Sequence, residues 1–167
     1  MKNNLFENNG AEFSPCKKYR YALWRIWDES KPIIMFIGLN PSTANETTDD
    51  ATIRRVKRFA VDWGAGGVYM MNLFPLVSTN PKVLLDFYDT PFHDVELEKN
   101  NHWLCDISFK ANQIIFAWGA FKEAHKRAKT VIKMFPDAKA LLINQDGSPR
   151  HPLFVKGNTI PKYFKNL

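Results

Sequence analysis

With 167 residues, 45% of them apolar and 24% charged, the chain has the make-up of one globular domain, able to bury roughly 70% of its unfolded surface without metal or disulfide support. Its longest apolar run, residues 33–39, falls far short of the ~20 residues a bilayer span needs, and the polar opening MKNNLFENNGAEFSP lacks the apolar stretch of a secretory signal. Twenty-three Lys and Arg against 17 acids give a net charge of +6, which favours a polyanionic partner over a membrane.

Cys16 and Cys105 belong to no C-x-x-C pair, which argues against a disulfide framework or a zinc ribbon and suits a reducing cytoplasm. His93, His102, His125 and His151 are scattered, without the spacing of zinc hydrolases or deaminases. The expectation is a cytoplasmic protein with no metal, cofactor or membrane association.

In chain order, residues 1–15 read as a flexible N-terminal tail and residues 16–167 as a single domain. YRYALWRIW at 19–27 partly alternates apolar and polar residues, as an edge or hairpin strand does. IIMFI at 33–37 is a short continuous apolar run, the pattern of a strand covered on both faces, ending in a loop at Gly38, Leu39, Asn40 and Pro41. Residues 49–63 read as a helix with Ile53, Val56, Phe59 and Ala60 on one face and Arg54, Arg55 and Arg58 largely off it.

After the glycines at 64–67, VYMM at 68–71 is a second buried strand, ending at Asn72. Residues 81–89 and 94–110 read as helices, and QIIFAW at 113–118 as a third buried strand closed by Gly119. Residues 120–135 form a basic amphipathic helix, with Lys122, Lys126, Arg127, Lys129 and Lys133 facing only Glu123. ALLI at 140–143 is a fourth strand, followed by the loop NQDGSPRHP at 144–152. The acids Asp86, Asp94, Glu96, Glu98 and Asp106 mark an opposite, acidic side.

Buried strands alternating with helices predict an α/β fold: a three-layer α/β/α sandwich around a mainly parallel four-stranded sheet. Ligands bind such sheets outside the carboxyl ends of the strands. There the chain carries GLNPS at 38–42, NLFP at 72–75, WG at 118–119 and GSPRHP at 147–152, which the topology gathers on one rim. Taken singly these are weak signals: Asn40 and Asn72 also suit turns, and the prolines also suit loop stiffening. Walker, dinucleotide-binding and G-x-S-x-G patterns are missing.

In their order, the segments resemble the uracil-DNA glycosylase superfamily: IGLNPS at 37–42 its first motif, VYMMN at 68–72 its base-reading strand, FAWGA at 116–120 its third strand, and LLINQDGSPRHP at 141–152 its second motif. Still closer is the resemblance to a bacterial and phage family within that group, one of unassigned function, carried by YRYALWRIWD at 19–28, NPSTA at 40–44 and GSPRHPL at 147–153. It covers roughly residues 16–156. Two features depart from the superfamily pattern: His151-Pro152 follows Ser148-Pro149 instead of preceding it, and no aromatic clearly matches the one that stacks on the base. Phe74 and Tyr69 are candidates, with Tyr69 better placed to pack in the sheet.

The resemblance implies a monofunctional DNA glycosylase that excises uracil or a modified pyrimidine, in repair or in defence against phage DNA. It would act as a monomer on single- or double-stranded DNA. Asn40 would orient a water beside C1′, and His151 would donate to the departing base. Asn72, with Leu39 and Phe74, would hold the flipped base. Ser42, Ser148, Arg150, Arg54 and Arg55 would grip phosphates. Asp49 and Asp50 have two readings, water activation or capping of the arginine-rich helix, of which capping is favoured. The alternatives are a nucleic-acid binder that kept the fold without the chemistry, and a hydrolase of free nucleosides or nucleotides.

Overall fold

The computed structural model describes residues 8–88 and 93–166. Residues 1–7 of the expected tail and Asp89, at the end of the expected helix 81–89, lie outside the described residues. Among the described residues, seven strands form one mixed sheet: β1 (Asn8–Phe13), β2 (Arg20–Ile26), β3 (Ile33–Gly38), β4 (Gly67–Asn72), β5 (Gln113–Phe116), β6 (Lys139–Ala140) and β7 (Lys162–Tyr163), in the order β1-β2-β4-β3-β5-β6-β7. Among the described residues, four α-helices accompany them: α1 (Ala51–Asp62), α2 (Val83–Tyr88), α3 (His93–Ser108) and α4 (His125–Met134).

Three of the four strands expected from apolar runs are found in the parallel centre as β3, β4 and β5, whereas the fourth, expected at 140–143, is instead the two-residue β6, because the chain leaves the sheet after Ala140. β3 pairs parallel with both β4 and β5, and β5 pairs parallel with β6. The expectation of a mainly parallel four-stranded sheet is corrected by the edges, where β1, β2 and β7 are antiparallel to their neighbours. The β1 sequence, NNGAEF, has no apolar run, because an edge strand gains its place through backbone pairing and can leave its side chains in water. Residues 8–13 therefore belong to the sheet and not to a tail. β2 is the hairpin partner of β1, yet its other side pairs with β4, so it is interior to the sheet.

Side chains along β3 alternate between two apolar clusters, as the period of two requires. Met35 and Ile37 join Met71, Phe116, Leu84, Leu104 and Val131 on the face covered by α2, α3 and α4. Ile34 and Phe36 join Val68, Met70 and Ile115 against Ile53, Val56 and Phe59 of α1. These are the four α1 positions read from the sequence, with Ala60 completing the set. The central strands are buried along their whole length, which is why they read as unbroken apolar runs. Their shared direction puts the loops after β3, β4, β5 and β6 at the same end of the sheet. Among the described residues, no helix is long and apolar enough to cross a membrane.

Candidate functional site

At that end of the sheet lies a cavity of about 200 Å³ lined by Leu39, Asn40 and Ser42 after β3, Asn72 at the end of β4, Trp118 after β5, and His151. Arg20, Asp50, Ser78 and Thr79 complete much of its wall. Leu39, Trp118 and His151 also line an adjoining hollow of about 360 Å³, together with Phe121, Asn144, Arg150 and Phe154. Larger hollows open between α3 and α4 and at the opposite strand ends, but neither gathers residues from the carboxyl ends of the parallel strands.

Asn40 is held by its amino group. Nδ2 donates to the carbonyls of Pro41 at 3.0 Å, Leu76 at 3.3 Å and Ser78 at 2.9 Å. Three carbonyls on one side fix which end of the carboxamide is nitrogen. Oδ1 accepts no hydrogen bond from the described residues, so the site's fixed acceptor is this oxygen.

Asn72 is only 3% exposed, and its carboxamide makes no hydrogen bond to the described residues. Its main chain, by contrast, is tightly gripped. Nδ2 of the fully buried Asn100 donates to the carbonyls of Asn72 at 2.9 Å and Leu73 at 3.2 Å. Arg127 adds Nε to the Leu73 carbonyl at 2.7 Å, while its Nη1 reaches Asn101. Sequence reading counted Arg127 among the bases of a basic amphipathic helix; it is instead 5% exposed and ties α4 to the end of β4. Neither Asn100 nor Arg127 stands out in the sequence, because a polar residue on the buried side of a helix looks like a break in the apolar pattern.

The close approach of the strand ends depends on Gly38. A Cβ there would lie 2.9 Å from Oδ1 of Asn72 and 2.6 Å from the end of the Met70 side chain. Gly119 has a second reason to be glycine: its φ is +79°, and a Cβ would lie 3.3 Å from that of His151. Its N–H donates to the Pro149 carbonyl at 2.9 Å, stitching the turn after β5 to the loop that carries His151.

His151 opens a short 3₁₀ turn, Pro152–Phe154, and its Nδ1 accepts from the Leu153 N–H at 3.2 Å. An accepting Nδ1 leaves the proton on Nε2, so the imidazole is a neutral ring with one donor. Burial lowers its pKa from the ordinary 6.5, and the negative charge of Asp50 offsets part of that effect. The loop is anchored from α1: Arg55 donates through Nε to the Pro152 carbonyl and through Nη2 to the Val155 carbonyl.

Several expected phosphate contacts are therefore occupied within the protein. Arg55 positions the His151 loop. Ser148 is buried, with its hydroxyl donating to Asp146 and accepting from Asn144. Arg150 donates to Asn144 at 3.0 Å while still lining the adjoining hollow, and Arg54 is exposed with Nη1 on the Asp49 carbonyl. Ser42 lines the cavity. Phe74 has no exposed surface and sits in the core beneath α3, because the main chain at 73–74 continues its pairing onto Gly38 and Leu39. The aromatic residue of the cavity is Trp118, and Phe154, 76% exposed, stands beside His151 with ring centroids 5.9 Å apart. Tyr69 packs in the core, as its strand position predicts.

The two aspartates divide. Asp50 caps α1, accepting from the Ile53 N–H at 2.9 Å. Asp49 pairs with Arg25 and Lys57, each at 2.8 Å. Burial alone would raise the Asp49 pKa, but the hydrogen bonds and charges of Lys57 and Arg25 prevail and hold it below the ordinary value. Among the described residues, no three His, Cys, Asp or Glu side chains converge to hold a metal ion.

Searches of curated proteins and of solved structures found no match. Residues 20–153, from the first residue of β2 to just past His151, match the family described as "Protein of unknown function (DUF1643)". With the whole cavity wall inside that span, the chain belongs to the DUF1643 family.

Proposed function

We propose that the protein is a DNA glycosylase that hydrolyses the N-glycosidic bond of uracil or a modified pyrimidine. The observation that carries this reading is the meeting of Asn40, Asn72 and His151 in one cavity of about 200 Å³. At about 30 Å³ per water, that is room for six or seven waters, enough for a single base. The ordered resemblance of IGLNPS, VYMMN and LLINQDGSPRHP to uracil-DNA glycosylase motifs supports the same reading, as does the net charge of +6.

In this mechanism the nucleotide leaves the stack and its base enters the cavity. The C1′–N1 bond breaks with its electron pair departing on the base, and the sugar acquires oxocarbenium character. Oδ1 of Asn40 orients a water whose oxygen bonds to C1′, and the water's proton passes to solvent. An amide has no useful basicity, so its contribution is alignment. Nε2–H of His151 donates to the base oxygen where charge develops. The free carboxamide of Asn72 offers two donors and an acceptor to the N3–H and O4 edge of the pyrimidine. Trp118 supplies an apolar wall.

The test is incubation of the full chain with oligonucleotides carrying uracil, mismatched thymine, or hydroxymethylated and glucosylated pyrimidines, read as alkali-labile abasic sites. Strand cleavage after alkali with at least one of them is expected. Salt-sensitive binding to all of them without abasic product would identify a non-catalytic binder instead, and base release from free nucleosides without DNA affinity would identify a nucleoside hydrolase.

A further inference from the structure

The hydrolysis mechanism makes no use of the hollow of about 360 Å³ that adjoins the cavity. The two share Leu39, Pro81, Trp118 and His151 as a common wall. Their occupants would stand side by side, as neighbouring nucleotides of one strand do. At about 30 Å³ per water the hollow holds roughly twelve waters, room for a second base with part of its sugar.

Phe154, Phe121 and Trp118 give the hollow apolar faces on which a base of any identity can stack. Phe154 is 76% exposed, and it is displayed from a fixed turn, because Arg55 holds the Pro152 and Val155 carbonyls on either side of it. Arg150 lines the same hollow. Its Nε is engaged by Asn144 at 3.0 Å, but neither Nη makes a hydrogen bond to the described residues. That end of the guanidinium is available to a phosphate. In a duplex, the base beside the flipped nucleotide is itself paired and stacked, so bringing it to this hollow requires a second extrusion. A single strand carries no such penalty.

We propose that this hollow is a second base subsite, which takes the nucleotide next to the excised one, and that the substrate is single-stranded DNA. This inference rests on the neighbouring cavity being a base pocket. The adjoining base stacks on Phe154, while Arg150 meets the phosphate that links the two nucleotides.

The probes are single-stranded oligothymidylates with one central 2′-fluoro-2′-deoxyuridine, whose glycosidic bond resists hydrolysis. One is intact, and two have the base 5′ or 3′ to the uracil replaced by a reduced abasic residue; a duplex of the intact strand is the fourth. Fluorescence anisotropy at one salt concentration gives their affinities for the full chain, Phe154→Ala and Phe154→Tyr. Removing one of the two neighbouring bases should weaken wild-type binding about 5- to 100-fold. Phe154→Ala should erase most of that difference and Phe154→Tyr should retain it. The intact single strand should bind more tightly than the duplex.

Neighbouring-base removal without effect on the wild type would overturn the proposal. So would equal weakening of every probe by Phe154→Ala, which would show the ring acting only through His151. Preference for the duplex, with Phe154→Ala weakening the duplex alone, would make the ring a wedge in the helix and overturn it too. Thermal unfolding of each variant separates loss of the fold from loss of the stack.

Excision assays on the same strands with ordinary deoxyuridine separate this proposal from the excision reading. A neighbouring-base dependence that Phe154→Ala erases, without abasic sites, would leave the subsite standing and end the excision reading. Excision indifferent to the neighbouring bases and faster in duplex would leave excision standing and end this one.

Discussion

Asn40 and His151 are oriented by opposite means. The carboxamide is oriented by what its nitrogen donates to, and the imidazole by what its Nδ1 accepts. Protonating His151 would remove the acceptor that holds the Leu153 N–H. Because burial depresses its pKa below 6.5, the neutral form persists through that pH, and activity should fall only at lower pH. A kcat/KM profile is expected to be flat from about pH 8 to below 6.5, with an acid limb that His151→Gln abolishes. An inflection above 6.5 would contradict the neutral ring. Gly38→Ala tests the neighbouring contact. Its Cβ would press on Asn72 Oδ1 and on the mobile end of Met70, so a loss of about 1–3 kcal/mol in chemical unfolding is expected from overpacking. Base discrimination should suffer more than the fold does, read as the ratio of excision rates on uracil and thymine.

At the scale of elements, the end of β4 is positioned from behind. Asn100 of α3 and Arg127 of α4 hold the carbonyls at the end of β4. Asn100→Ala leaves the buried carbonyls of Asn72 and Leu73 short of a donor, so about 1–3 kcal/mol of stability should be lost in denaturant unfolding. A cost near zero would show that the grip does not matter. The parallel centre could be read from sequence because IIMFI and VYMM are buried along their whole length and QIIF at its carboxyl end. β1 and β7 could not, since edge strands are specified by backbone pairing and tolerate sequences such as NNGAEF. The site was legible where loop residues end buried strands, at Asn40, Asn72 and His151. Arg20 was hidden inside an apparently alternating strand. Arg55 misled because helical periodicity says which residues leave the apolar face of α1, but not that a distant loop folds over the other side.

For the whole molecule, acid should act in two stages. His151 takes up a proton more readily unfolded than folded, so its penalty is absent above pH 6.5 and grows as pH falls below that value. Asp49 has a depressed pKa, so its stabilising contribution is complete above 3.8 and is lost as pH falls through its folded value. Thermal midpoints should decline gently below 6.5 and more steeply below 3.8. Asp49→Asn should lower the midpoint at neutral pH and flatten the second decline; an unchanged second decline would remove Asp49 from the account.

The central claim is that side chains from the ends of β3 and β4 and from the loop after β6 cooperate on one extruded base. Single-turnover excision from the best oligonucleotide, compared between the wild type and folded His151→Ala and Asn40→Ala variants, tests it most directly. Rates should fall about 10²- to 10³-fold for His151→Ala and by at least tenfold for Asn40→Ala, with DNA affinity nearly unchanged in both. Wild-type rates in either variant would contradict the assignment of chemistry to this cavity.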